Sequence, residues 1–134
     1  MSFDLRNRAG STFRVSGGGW AVLLTLAQTY GWKPMGTRRP LDGALAEPWH
    51  GRYDSSDGQI VLEEDAKLLA QVLHAAAVSP QLNRALGDVI RHIERQVEAD
   101  GVKIPDGMRM RPEHFHQQFS PLLEFLYQGE FTIE

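Results

Sequence analysis

The chain has 134 residues, the size of one ordinary domain, with 42% hydrophobic and 23% charged residues and a formal net charge of −3. That balance excludes a disordered chain, and the longest apolar runs, such as residues 20–24, fall far short of a bilayer span. The acidic net charge runs against the sign expected of a general nucleic-acid binder, and the absence of cysteine excludes a disulfide scaffold, a thiol nucleophile and any cysteine-ligated metal centre.

Phe3 and Leu5 alternate with Asp4 and Arg6. After Asn7-Arg8-Ala9-Gly10-Ser11, Phe13 and Val15 alternate with Thr12, Arg14 and Ser16. Period two on both sides of a glycine-containing turn predicts a β-hairpin. Gly17-Gly18-Gly19 reads as a flexible connection ending in a glycine helix cap. A phosphate-binding loop is the weaker reading, because no Lys-Ser or Lys-Thr follows. Trp20, Leu23, Leu24, Ala27 and Tyr30 recur at helical spacing and predict a first helix over about 19–30, stopped by Gly31.

Residues 31–59 show no period. They carry Pro34, Pro40 and Pro48 with Gly31, Gly36, Gly43, Gly51 and Gly58. A connection of this length inside one domain is usually functional or disordered, and its aromatic residues argue against disorder. Glu63-Glu64-Asp65 then supplies the acidic first turn of a second helix, whose buried stripe is Ala66, Leu69, Ala70, Leu73 and Ala77. Ser79-Pro80 opens a third helix marked by Leu82, Leu86, Val89, Ile90, Ile93 and Val97 and ended by Asp100-Gly101. Arg84, Asp88, Arg91, Glu94, Arg95 and Glu98 read as its solvated face. After a short linker, residues 102–111, Pro112-Glu113 starts a last helix with Phe115, Phe119, Leu122, Leu123 and Leu126 on one side. Ser120-Pro121 falls inside it and predicts a kink or a split. Phe131-Thr132-Ile133-Glu134 alternates again.

A two-stranded hairpin is marginal alone, so the last strand is expected to join it, with Phe3, Leu5, Phe13, Val15, Phe131 and Ile133 facing inward. The fold class that follows is α+β: a helix-rich single domain over residues 1–134, with about four helices packed on a small antiparallel sheet formed by the N-terminal hairpin and the C-terminal strand.

Phe3-Asp4-Leu5-Arg6-Asn7, Trp20 with Leu23-Leu24, Tyr30-Gly31-Trp32-Lys33-Pro34 with Gly36-Thr37, Gly51-Arg52-Tyr53, and Asp57-Gly58-Gln59 ahead of Asp65-Ala66 follow one another along most of the chain. In that order they resemble a group of small uncharacterised bacterial proteins with no assigned activity. The resemblance implies a coherent fold and no chemistry. Two positions depart from the group: Leu62 stands at a helix cap where Thr is usual, and Ser56 stands where Asn is expected before Asp-Gly-Gln.

His114 and His116 flank Phe115 beside Glu113. At a helix start their side chains diverge by about 200°. His92, with Glu94 or Asp88, is the only other histidine to recruit, whereas a zinc or iron site needs three protein ligands. No metal and no other cofactor is expected, and the pair reads as surface histidines around a buried Phe115. The Gly-x-Ser-x-Gly nucleophile pattern is absent, the acidic groups have helix-dipole or ion-pair explanations, and no catalytic residue is assigned. Arg38-Arg39, Arg109 with Arg111, and Arg6, Arg8 and Arg14 form three short basic clusters. In an acidic chain these do not amount to a nucleic-acid surface.

The densest signal is Trp49-His50-Gly51-Arg52-Tyr53. Trp, Tyr and Arg dominate binding hot spots, because each buries much area and keeps a polar handle. The candidate binding residues are therefore Trp32, Trp49, His50, Arg52 and Tyr53. His50, Arg52 and Tyr53 are expected to be partly exposed around a concave site floored by Trp32 or Trp49. The competing reading has the two tryptophans tucked into the core, holding the loop down as a lid. The function expected is a non-catalytic binding or protein-interaction module, of the immunity or accessory-protein type. The alternative is a small metal-dependent hydrolase, or another enzyme using a site built on His114, His116 or His50. The partner is an unidentified protein or small molecule, not nucleic acid and not a membrane, and a homo-oligomer stays open. Met1-Ser2-Phe3-Asp4-Leu5-Arg6 lacks the charged-then-apolar pattern of a secretion signal, so a cytoplasmic location in a bacterial cell is expected.

Overall fold

The computed structural model describes residues 2–40 and 48–134; residues 41–47, and with them Gly43 of the long connection, lie outside the described residues. The elements in chain order are β1 (Ser2–Asn7), β2 (Thr12–Ser16), α1 (Gly17–Thr29), β3 (Gln59–Val61), α2 (Glu63–Ala77), α3 (Leu82–Ala99), a single 3-10 turn (Asp106–Met108), α4 (Glu113–Tyr127) and β4 (Phe131–Ile133). The domain is α+β, with four helices on an antiparallel sheet of order β2-β1-β4-β3. Among the described residues no helix is long and apolar enough to cross a membrane.

The two chain ends pair as the alternating patterns require, with Leu5 opposite Ile133 and Asn7 opposite Phe131. β4 is an interior strand, because β3 pairs on its other side and sets Val61 opposite Phe131. The sequence pattern does not reveal β3, because its inward position Gln59 is polar and hides the apolar alternation. Its outer edge is covered in turn by Arg38, whose N–H donates to the Ile60 carbonyl at 2.8 Å and whose carbonyl accepts from the Ile60 N–H at 2.9 Å. Phe3, Leu5, Val15, Val61, Phe131 and Ile133 form the buried face of the sheet. Phe13 is only half-buried and packs on Phe125 of α4, ring centroids 6.3 Å apart. α1 and α4 lie nearest the sheet, α2 packs against both, and α3 packs on α1. Each large side chain buried here contributes about 1.5–3 kcal/mol.

Gly17-Gly18-Gly19 is not a flexible connection. It is the first turn of α1, begun by Ser16, whose hydroxyl accepts from the Gly19 N–H at 3.0 Å. A Cβ on Gly19 would stand 2.8 Å from that hydroxyl oxygen, so glycine is what lets the cap close. α2 begins at Leu62 with no side-chain cap. α4 is not split at Pro121 and runs as one helix from Glu113 to Tyr127. The proline removes one backbone hydrogen bond, and the buried Phe119, Leu122, Phe125 and Leu126 around it hold the helix together. Glu94 is not on a solvated face. It is 8% exposed, because the linker 102–111 folds back over it; it accepts from the Met110 N–H at 3.2 Å and lies 3.8 Å from the Arg109 guanidinium.

Candidate functional site

The long connection is anchored from below by a carboxylate. Asp65 is the third residue of α2 and is fully buried. It falls on the same helical face as Ala66, Leu69 and Leu73, where a charged group costs several kcal/mol if unpaired. Here it is paired twice. Trp32 Nε1 donates to Oδ1 at 3.1 Å, and the Tyr53 hydroxyl donates to Oδ2 through a short hydrogen bond. The helix N-terminus adds the favourable end of its dipole. The Tyr53 hydroxyl also accepts from the Gly36 N–H at 2.9 Å, and the Tyr53 carbonyl accepts from Trp20 Nε1 at 2.8 Å. Burial, reinforced by the Asp65 carboxylate, holds the Tyr53 hydroxyl well above the usual phenol range.

A second set of bonds shapes the loop above this anchor. The Thr37 hydroxyl donates to the Arg52 carbonyl at 2.8 Å and accepts from Trp49 Nε1 at 3.2 Å. The Thr37 N–H donates to the Gly51 carbonyl at 3.2 Å. Gly51 takes a positive φ of 69°, a conformation that favours glycine, and this turns residues 49–53 back over Gly36 and Thr37. Gln59, fully buried at the start of β3, donates through Nε2 to the Ser55 carbonyl at 2.7 Å, and its Oε1 accepts from the Asp57 N–H at 2.9 Å.

The rim is polar. His50 Nδ1 accepts from the Arg52 N–H at 2.8 Å, so the ring proton is assigned to Nε2, which donates to Asp57 Oδ2 at 3.2 Å. The imidazole stacks on the Trp49 indole, centroids 3.9 Å apart and planes 33° apart. Arg52 grips Asp54 with two bonds of 2.8 and 3.1 Å. That pairing holds the Asp54 carboxyl below its ordinary range and the Arg52 guanidinium above its own.

All five residues singled out in the sequence thus belong to one folded loop, but they divide into two layers. Trp32 and Tyr53 are anchors, 4% and 9% exposed, whereas His50 and Arg52 are exposed and Trp49 is half-exposed. The expectation that Tyr53 would be partly exposed is therefore corrected: its hydroxyl is drawn inward as a partner for Asp65. A shallow hollow of about 260 Å³ does lie against Trp32 and Tyr53, closed on the other side by Leu24, Thr25 and Gln28 of α1, and neither His50 nor Arg52 lines it. The residues not foreseen as part of this unit are Asp65, Thr37 and Gln59. Asp65 stands in the acidic run Glu63-Glu64-Asp65 and Gln59 is polar, so neither leaves an apolar mark of its burial in the sequence.

His114 and His116 occupy the start of α4 and face different neighbours. His114 Nδ1 accepts from the Arg111 N–H at 3.3 Å, and His116 Nε2 lies 2.6 Å from Asn83 Oδ1 of α3. Among the described residues no three His, Asp or Glu side chains gather in a group able to hold a metal ion. Comparison of the chain with protein-family models, with curated proteins and with solved structures finds no match.

Proposed function

We propose that this protein is a non-catalytic binding module, an accessory or immunity-type protein of the bacterial cytoplasm, whose partner-facing surface is the ridge of Trp49, His50 and Arg52. One observation carries the proposal: both ring nitrogens of His50 are bonded to loop partners, so the imidazole is held in place beside Trp49 as part of a fixed surface. The Tyr53 hydroxyl, pushed upward and bonded to Asp65, is no acid or base near neutral pH. What the ridge offers instead is a stacked indole–imidazole pair and a guanidinium, held on a base of buried hydrogen bonds. Such a surface binds with little ordering cost. A hydrolase built on His50, His114 or His116 finds less support, because these side chains are engaged separately.

The test is a Trp49→Ala/Arg52→Ala variant compared with the wild type in affinity capture from cell lysate. The captured component is then purified and mapped by hydrogen exchange. The expected result is a component held by the wild type, lost from a variant with unchanged circular dichroism, and protecting the amides of residues 49–54. A component retained equally by the folded variant, or protecting a different face, overturns the proposal.

A further inference from the structure

We infer that the groove between α1 and α3 is a second binding site, separate from the loop ridge, which takes a small amphipathic anion: an aromatic or aliphatic carboxylate. Its volume is about 560 Å³, inside the range of roughly 300–1,000 Å³ typical of small-molecule sites. Thr25 and Tyr30 form one wall, and Arg84, Ala85, Val89 and His92 form the other. Ala85 and Val89 make an apolar floor. Arg84 and His92 stand two turns apart along the same face of α3, on the order of 12 Å from end to end.

The chemistry of the groove is set by which polar groups lack partners. In the loop cluster the buried polar atoms of Thr37, Tyr53, Gln59 and Asp65 are bonded to one another, to the Trp32 indole or to backbone. In the groove, among the described residues, Arg84 and His92 have no hydrogen-bond or ion-pair partner, and the Tyr30 hydroxyl has none either. The one carboxylate present, Asp88, is already held by Arg91. The unengaged groups are therefore a guanidinium with five N–H donors, an imidazole, the Tyr30 and Thr25 hydroxyls and the Gln81 amide, all able to donate, and the positive charge at Arg84 has no ion-pair partner. A ligand that satisfies them brings acceptor oxygens and negative charge at one end, and an apolar body to lie on Ala85 and Val89 at the other. A planar carboxylate matches the guanidinium fork in two bonds. A single free arginine in an acidic chain is too little for a nucleic-acid backbone, which needs several phosphate contacts.

The experiment is a nitrogen-15 amide NMR titration of the full chain with 2-naphthoate, and with 2-naphthylmethanol as the uncharged counterpart. Saturable shifts are expected at residues 25–30 and 84–92, stronger for the carboxylate than for the alcohol. Arg84→Gln, an exposed change that leaves the melting temperature in place, is expected to weaken 2-naphthoate binding about tenfold or more. Ala85→Leu, which narrows the floor, is expected to weaken both probes. Absence of saturable shifts at millimolar probe overturns the inference, as do shifts confined to residues 49–54. Equal binding of the two probes with no effect of Arg84→Gln overturns it as well, and would mark the groove as an apolar seat for a partner's helix instead.

Discussion

Trp32 and Tyr53 meet edge to face, ring centroids 5.2 Å apart and planes at 79°, and each donates to a different oxygen of the same carboxylate, Asp65. This arrangement ties both halves of the long connection to the first turn of α2. It also explains why a charged residue can stand in the middle of an apolar helix face. The cost of removing Asp65 from water is offset only while both donors and the helix N-terminus are in place.

Tyr53→Phe keeps the ring and its packing but removes the hydroxyl. It leaves the Asp65 carboxylate with one donor and the Gly36 N–H without its acceptor. The expected loss is about 1–3 kcal/mol, read by urea denaturation. Asp65→Ala strands both donors and should cost at least as much. An unchanged unfolding midpoint in both variants would show that the carboxylate is not the anchor of the loop.

The same bond carries a pH dependence. The Tyr53 hydroxyl is held above its ordinary value of 10.0, through burial first and the Asp65 hydrogen bond second. Below that value the folded and unfolded chains are both protonated there, and the contribution is fully present. Above it the unfolded chain ionises while the folded chain keeps its proton, so the native state binds more protons and stability falls as pH rises. Thermal melts between about pH 9 and 11 should show a steeper decline for the wild type than for Tyr53→Phe. Parallel curves would exclude Tyr53 as the source.

The start of α1 separates two glycines that look alike in sequence. Gly19→Ala places a Cβ 2.8 Å from the Ser16 hydroxyl oxygen and displaces the cap, at an expected cost of about 0.5–2 kcal/mol. Gly18→Ala meets only the flexible end of Met110, at 3.4 Å. It should be neutral or stabilise by up to about 1 kcal/mol through helix propensity. Calorimetry on the two variants gives the sign of each change, and equal effects would contradict the cap geometry.

Removal of residues 130–134 should abolish cooperative unfolding rather than lower its midpoint. β4 lies between β1 and β3 in the sheet, and both Phe131 and Ile133 are buried, each worth about 1.5–3 kcal/mol. Glu130→Ala, which removes only the ion pair with Arg8, should leave the melting temperature almost unchanged. A truncated chain that still melts sharply would refute the interior position of β4.

The helices and the pairing of the chain ends were legible in the sequence because periodicity reports directly on burial. Leu82, Leu86, Val89 and Ile90 mark one face of α3, and Phe131 and Ile133 mark one face of a strand, whatever they later pack against. Local chemistry also placed the end of α3 at Asp100-Gly101. The loop aromatics announced that residues 49–53 matter, but not which way each side chain turns. The integrity of α4 through Pro121, the strand of only three residues at Gln59–Val61, and the buried states of Tyr53, Asp65 and Glu94 were decided by tertiary structure. In sequence, Asp65 and Glu94 look like the other charges on their helices. Each is buried because a distant segment delivers donors to it: Trp32 and Tyr53 to the first, Met110 and Arg109 to the second. Apolar burial follows from a residue's own surface and leaves a local pattern, whereas burial of a charge depends on partners that only the folded chain brings within hydrogen-bonding distance.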